Sequence, residues 1–334
     1  MNKVRFGILG VSYFAVHRML PALQKCGLVE LAAIASRDRT RAEAAAREFA
    51  IPKAYGSYEE LLADPEIDAV YNPLPNHMHV PWSIRAAEAR KHVLCEKPIG
   101  MNADEVRKLI EVRNRTGVVI QEAFMVQTHP QWVRVMDLVR AGRIGDLRAA
   151  VCTFSYFRLD ADNIRNIREY GGGALMDIGC YAVKCSRMLF GGEPVRVSAA
   201  MIRDPRVDNV DGVVSGILEF PNGHGVFMCS SQISLQQSIK FLGSSGRIEI
   251  ELPFNPVADA ATRIRIDDGR DLLGSGMEVE DIPPSNQYTI QGDLFARAIR
   301  EGRPPAVPLE DSLKNAMVLD AIVRAAETGC AERV

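Results

Sequence analysis

The chain has 334 residues, 47% apolar and 25% charged, ordinary globular proportions that exclude a disordered, collagenous or coiled-coil polypeptide. Forty Lys and Arg against 42 Asp and Glu leave a formal charge of −2, with no general bias toward nucleic acid or an acidic membrane surface. At about 150 residues per domain, the length predicts two domains.

Val4–Leu9 is a short continuous apolar run ending at Gly10, the pattern of a strand buried on both faces. Residues 13–25 read as helix with Gly27 as its stop, 29–36 as strand, and the alanine-rich stretch 41–49 as helix. Ser57 is the expected N-cap of a helix over 58–63, and 69–71 a strand ending at Asn72-Pro73. Pro81 is expected to open a helix to Arg90, followed by a strand at 92–95, a helix capped by Asn102 and closed by Gly117, and a strand at 118–122. Strands alternating with helices predict a parallel sheet, a doubly wound α/β domain of the Rossmann dinucleotide-binding kind over residues 1–123.

Beyond it the rhythm changes. A helix from Pro130, a long strand at 147–157 and a helix over 174–189 precede strand-like runs at 196–202, 213–220, 226–232, 239–242 and 248–252, with Pro221-Asn222-Gly223 as a hairpin turn. Closing helices are expected at 288–301 and 310–328. Residues 124–334 therefore read as an α+β domain with a large, mainly antiparallel sheet that binds substrate and mediates association. Such a sheet with helices on one face leaves the other to be covered, so a homodimer or homotetramer is expected.

Seven cysteines without a CxxC pair suit a reducing compartment. The start runs directly into strand, and no apolar run approaches the roughly 18 residues of a membrane span. A cytoplasmic protein with no membrane or nucleic-acid partner is the expectation.

Gly10-Val11-Ser12-Tyr13-Phe14-Ala15 stands between the first strand and first helix. It matches the GxGxxG/A pattern, which aims backbone N–H groups and a helix dipole at a pyrophosphate. Ser12 replaces the second glycine, and its hydroxyl can donate to a phosphate oxygen. Cofactor choice is read at the end of the second strand, Ser36-Arg37-Asp38-Arg39-Thr40-Arg41. Arginines among hydroxyls suit a 2′-phosphate, with Arg37 and Arg41 as its partners. Asp38, shifted by one register, would be the carboxylate of an NAD enzyme. NADP is expected, with NAD as the alternative.

Glu96-Lys97-Pro98 follows the fifth strand, on the ligand side of a parallel sheet. In the second domain, Gly171-Gly172-Gly173 precedes a helix and would let backbone approach a ligand. At 100° per residue, Asp177, Tyr181, Lys184 and Met188 share one face of that helix, beside an apolar stripe of Leu175, Ile178, Ala182, Cys185 and Leu189.

Glu96-Lys97-Pro98 and the run from Gly171 to Tyr181 resemble the glucose-fructose oxidoreductase, inositol dehydrogenase and rhizopine-catabolism (Gfo/Idh/MocA) family of NAD(P)-dependent oxidoreductases, over essentially the whole chain. Tyr181 and Ser36-Arg37 resemble its branch with tyrosine in place of histidine, which includes NADP-dependent D-xylose and dimeric dihydrodiol dehydrogenases. The resemblance implies hydride transfer to or from a sugar, polyol or diol carbon, with Tyr181 as general base or acid. A free phenol has a pKa of about 10, and an ammonium such as Lys97 would lower it. Asp177 would hold substrate hydroxyls. Lys184 departs from the Asp or Asn common near that position. The cofactor set implied is Gly10, Ser12, Tyr13, Phe14, Ser36, Arg37, Arg41, Pro73, Leu74, Asn76, His79, Glu96 and Lys97. Phe124, Met125, Arg165 and Lys184 join Lys97, Asp177 and Tyr181 toward substrate, with a solvated loop charge as the other reading of Arg165. His77 and His79 lack a third ligand, so no metal is expected. The alternatives are a ketosugar reductase of nucleotide-sugar biosynthesis and a non-catalytic cofactor-sensing regulator.

Overall fold

The computed structural model describes residues 3–334; Met1 and Asn2, where the reading of a start without a leader begins, lie outside them. The chain forms two compact units. One runs to Thr128 and takes back Asn286–Leu313; the other comprises His129–Ser285 and Lys314–Val334. The first crossing lies near the expected cut at 123/124, and the returning segment adds two more, at 285/286 and 313/314, that a single cut does not supply.

In the first unit, β1 (Val4–Leu9), β2 (Val29–Ala35), β3 (Lys53–Tyr55), β4 (Ala69–Asn72), β5 (His92–Glu96) and β6 (Ile120–Ala123) pair in the order β3-β2-β1-β4-β5-β6. Every pairing is parallel, so all six carboxyl ends lie along one edge. The connecting helices are α1 (Leu20–Gln24) behind a π-helical turn (Ala15–Met19), α2 (Arg39–Glu48), α3 (Tyr58–Ala63), α4 (Asn76–Glu88) and α5 (Ala103–Thr116). Asp38, Ser57 and Asn102 cap α2, α3 and α5 by accepting N–H groups of Thr40, Glu60 and Glu105. Apolar residues on both faces explain the continuous runs: Phe6, Ile8 and Leu9 of β1 are fully buried. The returning helix Gln287–Glu301 completes this core, with Phe295 edge-on to Phe6 at 5.9 Å.

Two expectations need correction here. Helix α4 begins at Asn76, so Pro81 lies inside it, where a proline forfeits one ladder hydrogen bond. The first helix has already ended at Gln24, ahead of Gly27.

The second unit carries α6 (Pro130–Arg140) and β7 (Leu147–Phe157). A π-helical turn (Leu175–Gly179) runs into α7 (Cys180–Phe190). Then come β8 (Arg196–Asp204), β9 (Val210–Phe220), β10 (Gly223–Ser230), β11 (Gln232–Gly243), β12 (Arg247–Ile250), β13 (Thr262–Asp267), β14 (Met277–Ile282) and the short β15 (Glu332–Arg333). They form a nine-stranded sheet, order β14-β13-β12-β11-β7-β10-β9-β8-β15. It is antiparallel except where β10 runs parallel to β7. The β9–β10 turn is Pro221-Asn222, with Gly223 already paired to Phe220. No helix among the described residues is long and apolar enough to cross a membrane.

Candidate functional site

Four neighbouring strand ends of the first unit converge on a set of loops. After β1, Gly10 adopts φ +94°, and its N–H donates to the Ala35 carbonyl at 2.8 Å. A β-carbon there would sit 3.0 Å from the Leu74 side chain, so conformation and space both call for glycine. Ser12 accepts the Ala15 N–H at 3.1 Å; its own hydroxyl proton is still available to a phosphate. The helix then opens through the π-turn. Tyr13 is 79% exposed and stacks on His17, whereas Phe14 packs edge-on against Tyr288.

At the end of β2, the three arginines do not act as one cluster. Arg39 pairs with Glu43 at 3.1 Å, and Arg41 donates to the Val11 carbonyl at 2.9 Å, bracing the Gly10 loop. Arg37 lines an open cleft of about 360 Å3 with Gly56, Ser57, Tyr58, Glu59, Met78 and Trp82. Asp38 is occupied as the cap of α2: it takes the Thr40 N–H and hydroxyl at 2.9 and 2.6 Å. The Thr40 hydroxyl holds its carboxyl below the ordinary range. Ser36 is buried and accepts the Asp38 N–H. A left-handed glycine loop, a helix start and a guanidinium in an open cleft suit a dinucleotide bearing an extra phosphate. Tyr58, Met78 and Trp82 were not foreseen; Trp82 carries the Arg85 guanidinium on its face and stands edge-on to Tyr58.

After β4, Pro73 and Leu74 are buried while Asn76 at the start of α4 is partly exposed. His79 was expected to contact cofactor. It is fully buried, and its ring nitrogens lie 2.8 Å from the Pro98 carbonyl and 2.6 Å from that of Leu74. It therefore ties the β4 loop to the β5 loop and has no nitrogen left for a ligand, a correction to that assignment. After β5, Glu96 and Lys97 are partly exposed and the Lys97–Pro98 peptide is cis. Phe124 and Met125, just past β6, are buried.

In the second unit, Asp177 lies in the π-turn, where its carboxylate Oδ2 accepts both the Tyr156 hydroxyl at 2.7 Å and the Arg165 Nε–H at 3.0 Å. Burial, then the Asp177 charge, pushes the Tyr156 phenol up; the Arg165 guanidinium is held charged chiefly by Asp177, with Tyr181 contributing. Arg165 is thus an ion-pair partner of Asp177, with its side chain 39% exposed. Tyr156 was missed, although alternation along β7 puts it on the face of Cys152 and Phe154. Tyr181 is 4% exposed. Its ring is walled by Phe154 (5.7 Å, edge-on) and Phe254 (5.3 Å).

The π-turn breaks the 100° spacing used to put Asp177, Tyr181, Lys184 and Met188 on one face. Lys184 is 1% exposed and most of α7 is buried all round.

The triglycine also has another reason than ligand approach. A β-carbon on Gly172 would fall on the backbone of Arg165 and Ile167, and one on Gly173 (φ +115°) on the Asp211 carboxylate. Asp211 accepts the Leu175 N–H at 2.7 Å, capping the π-turn. Gly172 and Gly173 thus serve internal packing.

Residues 4–124 match the family model described as the oxidoreductase family with an NAD-binding Rossmann fold. Residues 132–249 match the GFO/IDH/MocA C-terminal domain. An uncharacterized oxidoreductase of Rhizobium meliloti is 46% identical over all of both chains. A D-xylose 1-dehydrogenase (NADP+) of Haloferax volcanii is 41% identical over 98% of each. A 3-ketoreductase from Actinomadura kijaniata, solved with NADP and TDP-benzene, superposes with a TM-score of 0.91 at 30% identity, covering 97% of this chain and 98% of that one. Sheet order, strand-end loops and both matched halves agree: the chain belongs to the Gfo/Idh/MocA family and is an NAD(P)-dependent oxidoreductase.

Proposed function

We propose that this chain is an NADP-dependent dehydrogenase or reductase of a sugar, or of a related polyol or diol. The observation that carries the cofactor reading is the pairing of roles at the end of β2: Arg37 faces the open cleft while Asp38 is committed to capping α2. A 2′-phosphate suits a guanidinium, and a ribose hydroxyl would need the carboxylate. The NADP named for the Haloferax dehydrogenase and the Actinomadura ketoreductase supports this choice.

Hydride exchange with a substrate carbon is the chemistry the nicotinamide supplies when bound. The chain's own residues manage protons and position. Asp177, oriented by Tyr156 and Arg165, offers an acceptor suited to sugar hydroxyls. Tyr181 takes the hydroxyl proton in oxidation and returns it in reduction. Lys97 is the other member of the proposed catalytic pair. Phe124, Met125 and Lys184 complete the proposed substrate set. A second reading, reduction of a ketosugar carried on a nucleotide, is favoured by the Actinomadura structure. The proposed assembly is a homodimer or homotetramer.

The deciding experiment follows reduced-nicotinamide absorbance over a panel of aldoses, polyols, diols and nucleotide-linked ketosugars. Lys97→Met and Tyr181→Phe are each expected to lower kcat by about a hundredfold or more while the dinucleotide still binds. Wild-type turnover in both variants would refute the pair. Arg37→Ala is expected to weaken NADPH and leave NADH unchanged.

A further inference from the structure

Glu96, at the carboxyl end of β5, is surrounded by ionisable groups of the first unit. Tyr71 on β4, itself fully buried, donates its hydroxyl to Oε1 at 2.8 Å. The Lys97 N–H reaches Oε2 at 3.3 Å. From β6, Glu122 opposes the Glu96 charge, and Tyr288 of the helix Gln287–Glu301 feels it as well. Glu122 is 3% exposed and takes the Ile99 N–H on Oε1 at 3.0 Å, leaving Oε2 without a hydrogen-bond partner. Two carboxylates therefore end adjacent strands, where register pairs Cys95 with Glu122 and Glu96 with Ala123. Cys95, the neighbour on the same strand, is a buried thiol whose pKa burial raises further.

These influences oppose one another. Burial and Glu122 favour the neutral acid, whereas Tyr71 and Lys97 favour the carboxylate; burial leads, and the group is pushed up to about 7. Glu96 thus stands on the ligand edge of the sheet with its carboxyl held by the Tyr71 hydroxyl and the Lys97 N–H, and with its proton affinity raised.

The strand order reverses its progression between β1 and β4, the switch point over which a dinucleotide lies. With the Arg37 cleft on the β2 side, the nicotinamide half belongs over β4 and β5, where Glu96 ends its strand. The oxidised ring is cationic and the reduced ring neutral.

We propose that Glu96 senses the oxidation state of the bound dinucleotide, its carboxylate favouring the oxidised form and its neutral acid the reduced form. This rests on the cofactor reading above. Linkage is reciprocal: if ring charge favours loss of the Glu96 proton, loss of that proton favours the oxidised cofactor by the same factor. Preference for oxidised over reduced cofactor then rises with pH through neutrality.

The test is calorimetric titration of the intact protein with NADP+ and with NADPH between pH 5.5 and 8.5. The ratio Kd(NADPH)/Kd(NADP+) cancels the 2′-phosphate, which both forms carry. In the wild type it is expected to rise about fivefold or more across the range. In Glu96→Gln it should stay flat at the low-pH value. Tyr71→Phe, lacking the donor that favours the carboxylate, should move the midpoint to higher pH. A pH-independent wild-type ratio, or an unchanged slope in Glu96→Gln, overturns the proposal. Should Glu96→Gln not fold, an unmoved midpoint in Tyr71→Phe overturns it as well. Failure of both NADP forms to bind would refute the cofactor reading and the inference with it, an outcome distinct from tight binding with a flat ratio.

Discussion

The Asp211 carboxylate occupies the place a side chain on Gly173 would need, and from there it accepts the Leu175 N–H at 2.7 Å. One contact thus joins β9 to the start of the π-turn that carries Asp177. It also fixes the order of two substitutions. Gly173→Ala imposes a left-handed alanine, about 1 kcal/mol, and dislodges a buried acceptor, about 1–3 kcal/mol more. Gly191→Ala, at φ +67° with nothing within 4 Å of the added carbon, carries only the first cost. Denaturant melts should place Gly173→Ala clearly below Gly191→Ala; equal losses would mean that Asp211 moves aside freely.

Asp211 should also make stability depend on pH. Burial pushes its carboxyl up to about 6, above the usual unfolded value of about 3.9. Between those values the folded chain binds more protons than the unfolded one, so the group's contribution falls as pH rises from about 4 to about 6. It is flat beyond either end. Two units correspond to about 3 kcal/mol at most. Asp211→Asn keeps an acceptor for Leu175 and loses the titration. Its stability relative to wild type should climb through that window and then level off, as urea unfolding at successive pH values would measure. A constant offset would rule out the buried acid.

Much of the first unit could be read from sequence because each buried parallel strand is a short apolar run closed by a distinctive loop: Gly10, Ser36-Arg37, Asn72-Pro73, Glu96-Lys97. The three-residue β3 has no such run. β13 alternates exposed Arg263 and Arg265 with buried Ile264 and Ile266, and β14 is an edge strand with exposed acids, so neither is a continuous apolar run. Helix α4 was misplaced because a proline inside a helix looks like one that opens it. The residues proposed for catalysis, Lys97, Asp177 and Tyr181, stand in short contiguous motifs that a local reading can reach. Tyr71, Tyr156 and Asp211 reach their partners through strand register and pairing between distant segments, which no local pattern encodes. The packing role of Gly173 was not legible either, since the carboxylate that fills the place of its side chain comes from a residue 38 positions further on.

Association should depend on the sheet face away from α7. A registered row crosses it: Lys240 beside Val151, Val151 beside Val226, Val226 beside Ile217, Ile217 beside Ser198. Val151, Val226 and Ile217 are each about two-fifths exposed, and Ile202 nearby is 64% exposed. A flat face with this apolar stripe suits a second copy of the chain. Light scattering is expected to return at least twice the monomer mass at micromolar concentration, with Ile217→Asp reduced toward monomer. A monomeric wild type would remove this face as an interface.

Tyr156→Phe isolates the orientation of Asp177 from its charge. The variant keeps the ring on β7 and the Arg165 ion pair at 3.0 Å, and deletes only the hydroxyl donated at 2.7 Å. If Asp177 holds substrate hydroxyls, losing one of its orienting donors should lower kcat/KM about tenfold, the worth of a hydrogen bond to a charged group at the low end. Dinucleotide affinity should not change, because the strand-end residues proposed to bind it belong to the first unit. Stopped-flow turnover on the identified sugar, paired with NADPH titration, separates the two. Wild-type kcat/KM would mean that the Tyr156 hydroxyl does not orient Asp177 for catalysis; a parallel loss of NADPH affinity would mean that the substitution disturbs more than the carboxylate.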